Sequence, residues 1–309
     1  MRTFIIGTRE SKLAVTQAKW VMEELKKAGV PNEFTLKYIS TKGDRKQNVS
    51  LAKVGGTGIF IQDIEEALEK KEIDFAVHSM KDLPAMLDDR FIIGSVPIRE
   101  DHRDAFIGRN GIKLADLQEG AIIGTSSARR AAQIKAILPH VETKWIRGAV
   151  DARIKQLEEG KYDGIILAVA GLKRLGIEKV ITEYLPADTF IPAVGQGALA
   201  IECRSEDDET KQVLRTINDV NTETAAITER IFVRLLDEED KAPIGAYATV
   251  ENNDIILYTS VASINGEQIL TFTAKGVSPE EVATTAANEL MKKGAKELIE
   301  EAKWELGKE

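Results

Sequence analysis

The sequence predicts an α/β protein: two α/β units followed by a smaller α+β domain. Three observations carry that expectation. Through the first 200 residues, short apolar runs alternate with amphipathic stretches, which predicts parallel sheets covered by helices. The alternation restarts at residue 121, so two such units are expected, joined near residues 98–104 and again near 190–200. The last 90 residues change character, with a long helix, strands joined by tight turns and a capped helix.

The elements follow in order. Residues 3–8 (TFIIGT) read as a strand. Residues 11–28 read as a helix, because Leu13, Ala14, Ala18, Val21, Met22 and Leu25 fall on one helical stripe. Residues 34–41, 73–79 and 91–98 are strands, with a helix over 59–70. The second unit has strands at 121–125, 141–146 and 163–169 and helices at 127–137 and 149–159. Beyond it, residues 222–236 form a helix and residues 248–276 form strands. Asn265-Gly266 is a hairpin signal, because a type I′ turn needs positive φ at both central residues. Ser278-Pro279-Glu280-Glu281 is a capping box with proline at the first helical position. The expected domains are 1–98 with 196–217, then 99–195, then 218–309. The sequence shows no internal repeat.

Composition excludes several function classes. The net charge of -8 argues against non-specific nucleic-acid binding. One cysteine, Cys203, allows neither an intramolecular disulfide nor a cysteine-built zinc site. His78, His102 and His140 lack metal-ligand spacing, so no metal is expected. No apolar run approaches the roughly 18–20 residues of a membrane span, and the N-terminus lacks a signal-peptide core. A soluble cytoplasmic protein with no membrane or nucleic-acid partner is expected.

In open α/β folds, ligand-binding groups collect beyond the C-terminal ends of strands. Five polar segments occupy such positions: residues 7–11, 41–45, 78–82, 124–130 and 147–148. The segment GTSSARR (124–130) is the most informative. A helix N-terminus carries partial positive charge, so Arg129 and Arg130 in a first turn are misplaced by about 0.3–1 kcal/mol each. They make sense where an anion binds. The plainer alternative is that Ser126 caps the helix and the arginines reach solvent. Arg9 and Arg147 repeat the theme after other strands, and Arg153 and Arg174 lie nearby. This recurrence favours a site for several carboxylates or phosphates. Gly55-Gly56-Thr57-Gly58 lacks the Lys-Ser/Thr of a P-loop. Asp82 stands among basic residues, either as a stabiliser of positive charge or as a cap or salt-bridge partner. His78 reads as a buried, hydrogen-bonded histidine and Cys203 as a small core hydrophobe.

Ten segments stand out in order along the chain: GTRESKLAVTQA (7–18), STKGDR (40–45), KVGGTGIF (53–60), DFAVHSMKDLP (74–84), REDHRDAFI (99–107), GTSSARRAAQ (124–133), IRGAVDARI (146–154), LAVAGLKRLG (167–176), PAVGQGALAIECR (192–204) and APIGAYA (242–248). Taken together, they resemble the porphobilinogen deaminase (hydroxymethylbilane synthase) family. The resemblance implies two periplasmic-binding-protein-like α/β domains, a small C-terminal α+β domain and a monomeric cytoplasmic transferase of tetrapyrrole biosynthesis. Its reaction joins porphobilinogen units head to tail with release of ammonia. By resemblance, Asp82 is the catalytic carboxylate. Arg9, Ser11, Lys81, Thr125, Ser127, Arg129, Arg130, Arg147, Arg153 and Arg174 bind substrate or cofactor carboxylates.

One departure matters. The family tethers a dipyrromethane cofactor by a thioether to a cysteine in the third domain. At that position this chain has Asp240, preceded by Glu238 and Glu239. Thr57 replaces a usually basic residue, and Ala149 a usual asparagine. Covalent attachment of dipyrromethane is therefore not expected. A condensing enzyme without a tethered primer is the first expectation, and a non-catalytic paralogue binding a pyrrole or another polycarboxylate is the alternative. An ordinary synthase holding its cofactor non-covalently or elsewhere is a third.

Overall fold

The computed structural model describes residues 2–41, 61–237 and 242–308. The chain opens with β1 (Thr3–Arg9), whose alternation buries Phe4 and Ile6 against α1 (Lys12–Lys27). Ser11 caps α1 by accepting from the Ala14 amide at 3.3 Å. β2 (Glu33–Ile39) runs parallel to β1, and α2 (Gln62–Glu69) leads into β3 (Phe75–Ser79). After β3 a single 3₁₀ turn holds Met80–Asp82. β4 (Phe91–Ser95) stops short of the expected residue 98, because Pro97 has no N–H to give a ladder.

The second unit comprises β5 (Asp104–Gly108), β6 (Ile122–Gly124), α3 (Ala128–Ile137), β7 (Glu142–Lys144), α4 (Val150–Glu158), β8 (Gly164–Ala168), α5 (Val169–Arg174) and β9 (Glu183–Leu185). β10 (Leu199–Arg204) returns to the first sheet and is followed by α6 (Asp208–Arg215). The first sheet is ordered β2-β1-β3-β10-β4 and the second β7-β6-β8-β5-β9.

These orders correct one expectation and bear out the restart of the pattern in a second unit. The sheets are mixed, not parallel: β10 is antiparallel to β3 and β4, and β5 to β8 and β9. The antiparallel strands are those that carry the chain between units, so no covering helix precedes them. A repeat does exist, in topology: each sheet places its first-paired strand second and an antiparallel crossing strand fourth. The side chains fulfilling each position differ, which is why the sequence shows no repeat.

The third unit begins with α7 (Val220–Leu236), capped by Asp219 on the Thr222 amide at 2.7 Å. A three-stranded antiparallel sheet follows: β11 (Ile244–Glu251), β12 (Asp254–Ala262) and β13 (Ile269–Gly276). α8 (Pro279–Lys292) and α9 (Ala295–Lys308) complete it, and Ser278 caps α8 as expected, accepting from the Glu281 amide at 3.4 Å. The type I′ geometry expected at Asn265-Gly266 lies elsewhere. Asn252 and Asn253, with φ of 51° and 70°, make the two-residue hairpin between β11 and β12. At residues 263–268, Asn265 instead accepts through Oδ1 from the Ser263 hydroxyl and the Glu267 amide, and only Gly266 has positive φ.

The third unit grips both segments that join the sheets. Glu229 of α7 is fully buried and accepts from Arg99, from the Gly195 amide at 2.6 Å and from the Ala248 amide at 2.8 Å. Tyr247 of β11 stacks on His102 at 3.7 Å between centroids. The joining segments are bonded to each other as well, Arg99 Nε to the Gln196 carbonyl at 2.8 Å. Glu229→Gln keeps the shape but turns an amide N–H toward these donors. A loss of about 1–3 kcal/mol of unfolding free energy is expected, read by urea titration.

Candidate active site

The C-terminal ends of β1 and β3 and the turn after β3 bring Arg9, Ser11, Gln17, His78, Ser79 and Asp82 around one cavity of about 50 Å³. Gln17 Nε2 donates to Ser79 Oγ at 2.9 Å and fixes that wall. His78 is buried as expected, its Nε2 2.9 Å from Glu202 Oε2. A larger cavity of about 550 Å³ lies on the second unit, lined by Arg109, Gln118, Asp163 and their neighbours. It contains none of the expected site residues, and Arg109 there is paired with Asp163 at 2.7 Å.

Lys81, beside Asp82, reaches across toward the second unit. Its Nζ lies 3.4 Å from Gln196 Oε1. Gln196 is fully buried and uses both ends of its amide. Nε2 donates to the His102 carbonyl at 2.9 Å and to Asp104 Oδ1 at 3.0 Å, while Oε1 also accepts from Arg130 at 3.3 Å. Only glycine fits on either side: Gly195 and Gly197 have positive φ, and a Cβ on them would stand 2.3 Å from Met80 Cγ and 2.4 Å from the Glu100 carbonyl.

The segment at the start of α3 is built differently from the expectation. Ser127, not Ser126, is the cap, accepting from the Arg130 amide at 3.4 Å, and Thr125 Oγ1 accepts from the Ser127 amide at 3.2 Å. Both hydroxyls keep an O–H to donate. Arg129 and Arg130 do not reach solvent. They converge on Asp104, the first residue of β5, at 2.8 Å and 2.6 Å, and donate further to the carbonyls of Ile191 and Ile166. The anion that offsets their position is thus partly the protein's own. Burial alone would raise the Asp104 carboxyl, but Arg129, Arg130 and the bond from Gln196 hold it at about 2.

Among the described residues, Lys81, Arg147 and Arg153 form no ion pair of this kind. Arg147 lies over the Trp145 ring at 5.4 Å, and its Nη2 is buried with no hydrogen-bond partner. Arg129 Nε is likewise buried and unpartnered. Arg153 donates to the Gly148 carbonyl at 2.8 Å; burial, then repulsion from Arg130 and Arg147, lowers it to about 10. Burial, then Arg130, brings Lys81 down to about 8 against the pull of Asp82 and Asp104. Arg174 stands apart, donating to the Gly197 carbonyl at 2.8 Å within the joining segments. Asp240 lies outside the described residues, as does Thr57.

Two family models cover most of the chain. Residues 4–212 match "Porphobilinogen deaminase, dipyromethane cofactor binding domain", and residues 224–300 match "Porphobilinogen deaminase, C-terminal domain". The chain belongs to the porphobilinogen deaminase family. Porphobilinogen deaminases from Oceanobacillus iheyensis and a Geobacillus species are each 50% identical to it, the first over 99% of both chains and the second over 100% of both. One from Bacillus cereus is 52% identical over 97% of both. A YaeC-family lipoprotein structure from Enterococcus faecalis aligns with 71% of this chain and 93% of its own at 15% identity and a TM-score of 0.41. The family's enzymes are transferases that polymerise porphobilinogen to hydroxymethylbilane. The first domain carries the name of their dipyrromethane cofactor. Among the described residues no cluster of His, Cys, Asp and Glu could hold a metal, and no helix is long and apolar enough to cross a membrane.

Asp104 and Gln196 were missed in the sequence. Both sit within segments that matched the family, yet neither stood out: Asp104 follows Arg103, whose own partner is Asp101, and Gln196 has no charged neighbour. The available signal was a charged residue opening the apolar run AFIG and a glutamine between two glycines.

Proposed function

We propose that this member of the porphobilinogen deaminase family condenses porphobilinogen head to tail at Asp82, without a covalently tethered dipyrromethane. One observation supports it above the others: Asp82 acts electrostatically on both Lys81 and Arg153, and with Arg147 acting on Arg153 these cations exceed the carboxylates described beside them. Burying cations without partners is costly. Acetate and propionate groups of a pyrrole substrate relieve that cost.

The residues then divide the work. Lys81, Arg147, Arg153 and the unpartnered Nε of Arg129 take carboxylates, with Arg9, Ser11, Thr125 and Ser127 adding donors. Arg130 and Arg174 hold the cleft together through Asp104 and the Gly197 carbonyl. Loss of the aminomethyl nitrogen as ammonia leaves a methylene-pyrrolenine whose positive charge spreads to the ring nitrogen. Asp82 stabilises that charge as it develops. The α-carbon of the acceptor pyrrole attacks the methylene carbon and then loses its proton. A dipyrromethane, which supplies a pyrrole acceptor when bound, suits the same cations. Its thioether does not suit this chain, whose single thiol is buried in β10. A monomeric cytoplasmic enzyme without nucleic-acid or membrane partners accords with the charge and composition.

A non-catalytic binding protein is the second reading, favoured by the missing cysteine alone. Ammonia release decides between them: steady production from porphobilinogen supports condensation, and tight calorimetric binding without ammonia supports the paralogue. Lys81 adds a pH test. Its surroundings are Arg129, Arg130, Asp82, Asp104 and Gln196. Its charge is present below about 8 and lost above it. The ratio kcat/KM for porphobilinogen is expected to fall as pH rises through about 8, and Lys81→Arg is expected to remove that limb.

A further inference from the structure

We infer that the growing pyrrole chain is not anchored to this protein, and that its acceptor is a carboxylated pyrrole with a free α-carbon taken from solution, porphobilinogen itself included. The inference rests on the condensing reading above and specifies its second substrate.

A thioether needs a thiol within reach of the cleft. The only cysteine in 309 residues is Cys203. It lies inside the first sheet with no exposed surface, in a cluster with Phe75, Val77 and Leu214. A single Cβ added at Gly94 would already stand 2.9 Å from its Sγ, so no pyrrole ring fits beside it. Burial, then Asp207, pushes the thiol up to about 12, which leaves almost no thiolate at neutral pH. The cleft, by contrast, offers reversible contacts. The buried, unpartnered Arg129 Nε and Arg147 Nη2 suit carboxylate oxygens, which bind and leave without a covalent step. The charge at the end of α7 points the same way. Residues 237–240 read Asp-Glu-Glu-Asp, and Asp237 is turned inward to Lys303 at 2.8 Å and the Ala242 amide at 2.9 Å. Such a run repels a carboxylate-rich group attached to it.

The bonds then balance without an oxidant. Each condensation breaks the C–N bond of the donor's aminomethyl group and forms one C–C bond to the acceptor's α-carbon. The proton from that carbon leaves with the nitrogen as ammonia. An acceptor porphobilinogen keeps its own aminomethyl group. A tetrapyrrole begun this way releases three ammonia for four porphobilinogens. A tetrapyrrole cut by water from an anchored primer releases four.

The test incubates the full chain with porphobilinogen, counts ammonia against porphobilinogen consumed, and weighs the denatured protein before and after. The expected result is an unmodified mass throughout and ammonia short of porphobilinogen by a quarter or more. Cys203→Ala is expected to leave ammonia production within about twofold. A pyrrole-sized increment surviving denaturation overturns the inference, and so does a linear tetrapyrrole accompanied by four ammonia from the earliest turnovers. If no porphobilinogen is consumed, the condensing reading falls as well, and the unchanged substrate distinguishes that failure from the others.

Discussion

Asp82→Asn is expected to lower the rate of ammonia release from porphobilinogen by about 10²–10³-fold, the usual effect of removing one group aimed at developing charge. The substitution keeps the size of the side chain and the turn Met80–Asp82 that carries it. It removes the negative charge, so the methylene-pyrrolenine loses its counterion at the moment the aminomethyl nitrogen departs. The cations that take the substrate carboxylates are untouched. Calorimetric affinity for porphobilinogen is therefore expected to change by no more than a few-fold, with the loss in kcat. A fall in affinity with kcat preserved would make Asp82 a binding contact and move the catalytic role elsewhere.

Asp104→Leu is expected to have the largest effect on stability. Asp104 is fully buried and accepts from Arg129, Arg130 and Gln196. Without it, two guanidiniums remain inside the protein with carbonyl partners only. Breaking a buried pair by removing one member costs roughly 3–5 kcal/mol, which corresponds to a fall in Tm of about 10 °C for a domain of this size. Acid should act on the same group. Its carboxyl is held at about 2, below its ordinary 3.8. The stability it contributes is complete above the ordinary value and is lost as pH falls through about 2. Thermal unfolding of the wild type and of Asp104→Leu at neutral pH checks the first expectation. Convergence of the two curves at the acid end checks the second.

Much of the molecule was legible from local pattern. The stripe on α1, the apolar alternation of β1 and the Ser278 cap are each set by residues a few positions apart, and the structure has them where the pattern put them. The arginine cluster was legible as far as chemistry follows from residue type at a strand end, whereas the role proposed for Asp82 came from the family resemblance. The direction of β5 and β10 was not, because an apolar run reads the same in either sense. The Asp104 network was not legible either. Its members come from residues 81, 104, 129, 130 and 196, and the contact between Asp104 and Gln196 spans 92 positions. No window of sequence holds both. Asn265-Gly266 does lie in the connection between β12 and β13, but the type I′ turn at Asn252-Asn253 was not read, although asparagine also tolerates positive φ.

The placement of β10 between β3 and β4 has a consequence for how the chain assembles as it is made. β4 pairs only with β10, so it has no sheet to join until residues 199–204 have been synthesised. All five strands of the second sheet lie between residues 104 and 185 and can pair before that. The second unit is therefore expected to fold first on the ribosome, with the first sheet closing around it. A released chain ending near residue 195 should protect the second unit from protease and leave β4 open to cleavage. Substitutions that slow β10 would then expose an unpaired strand during synthesis, and their cost would appear as aggregation of new chains.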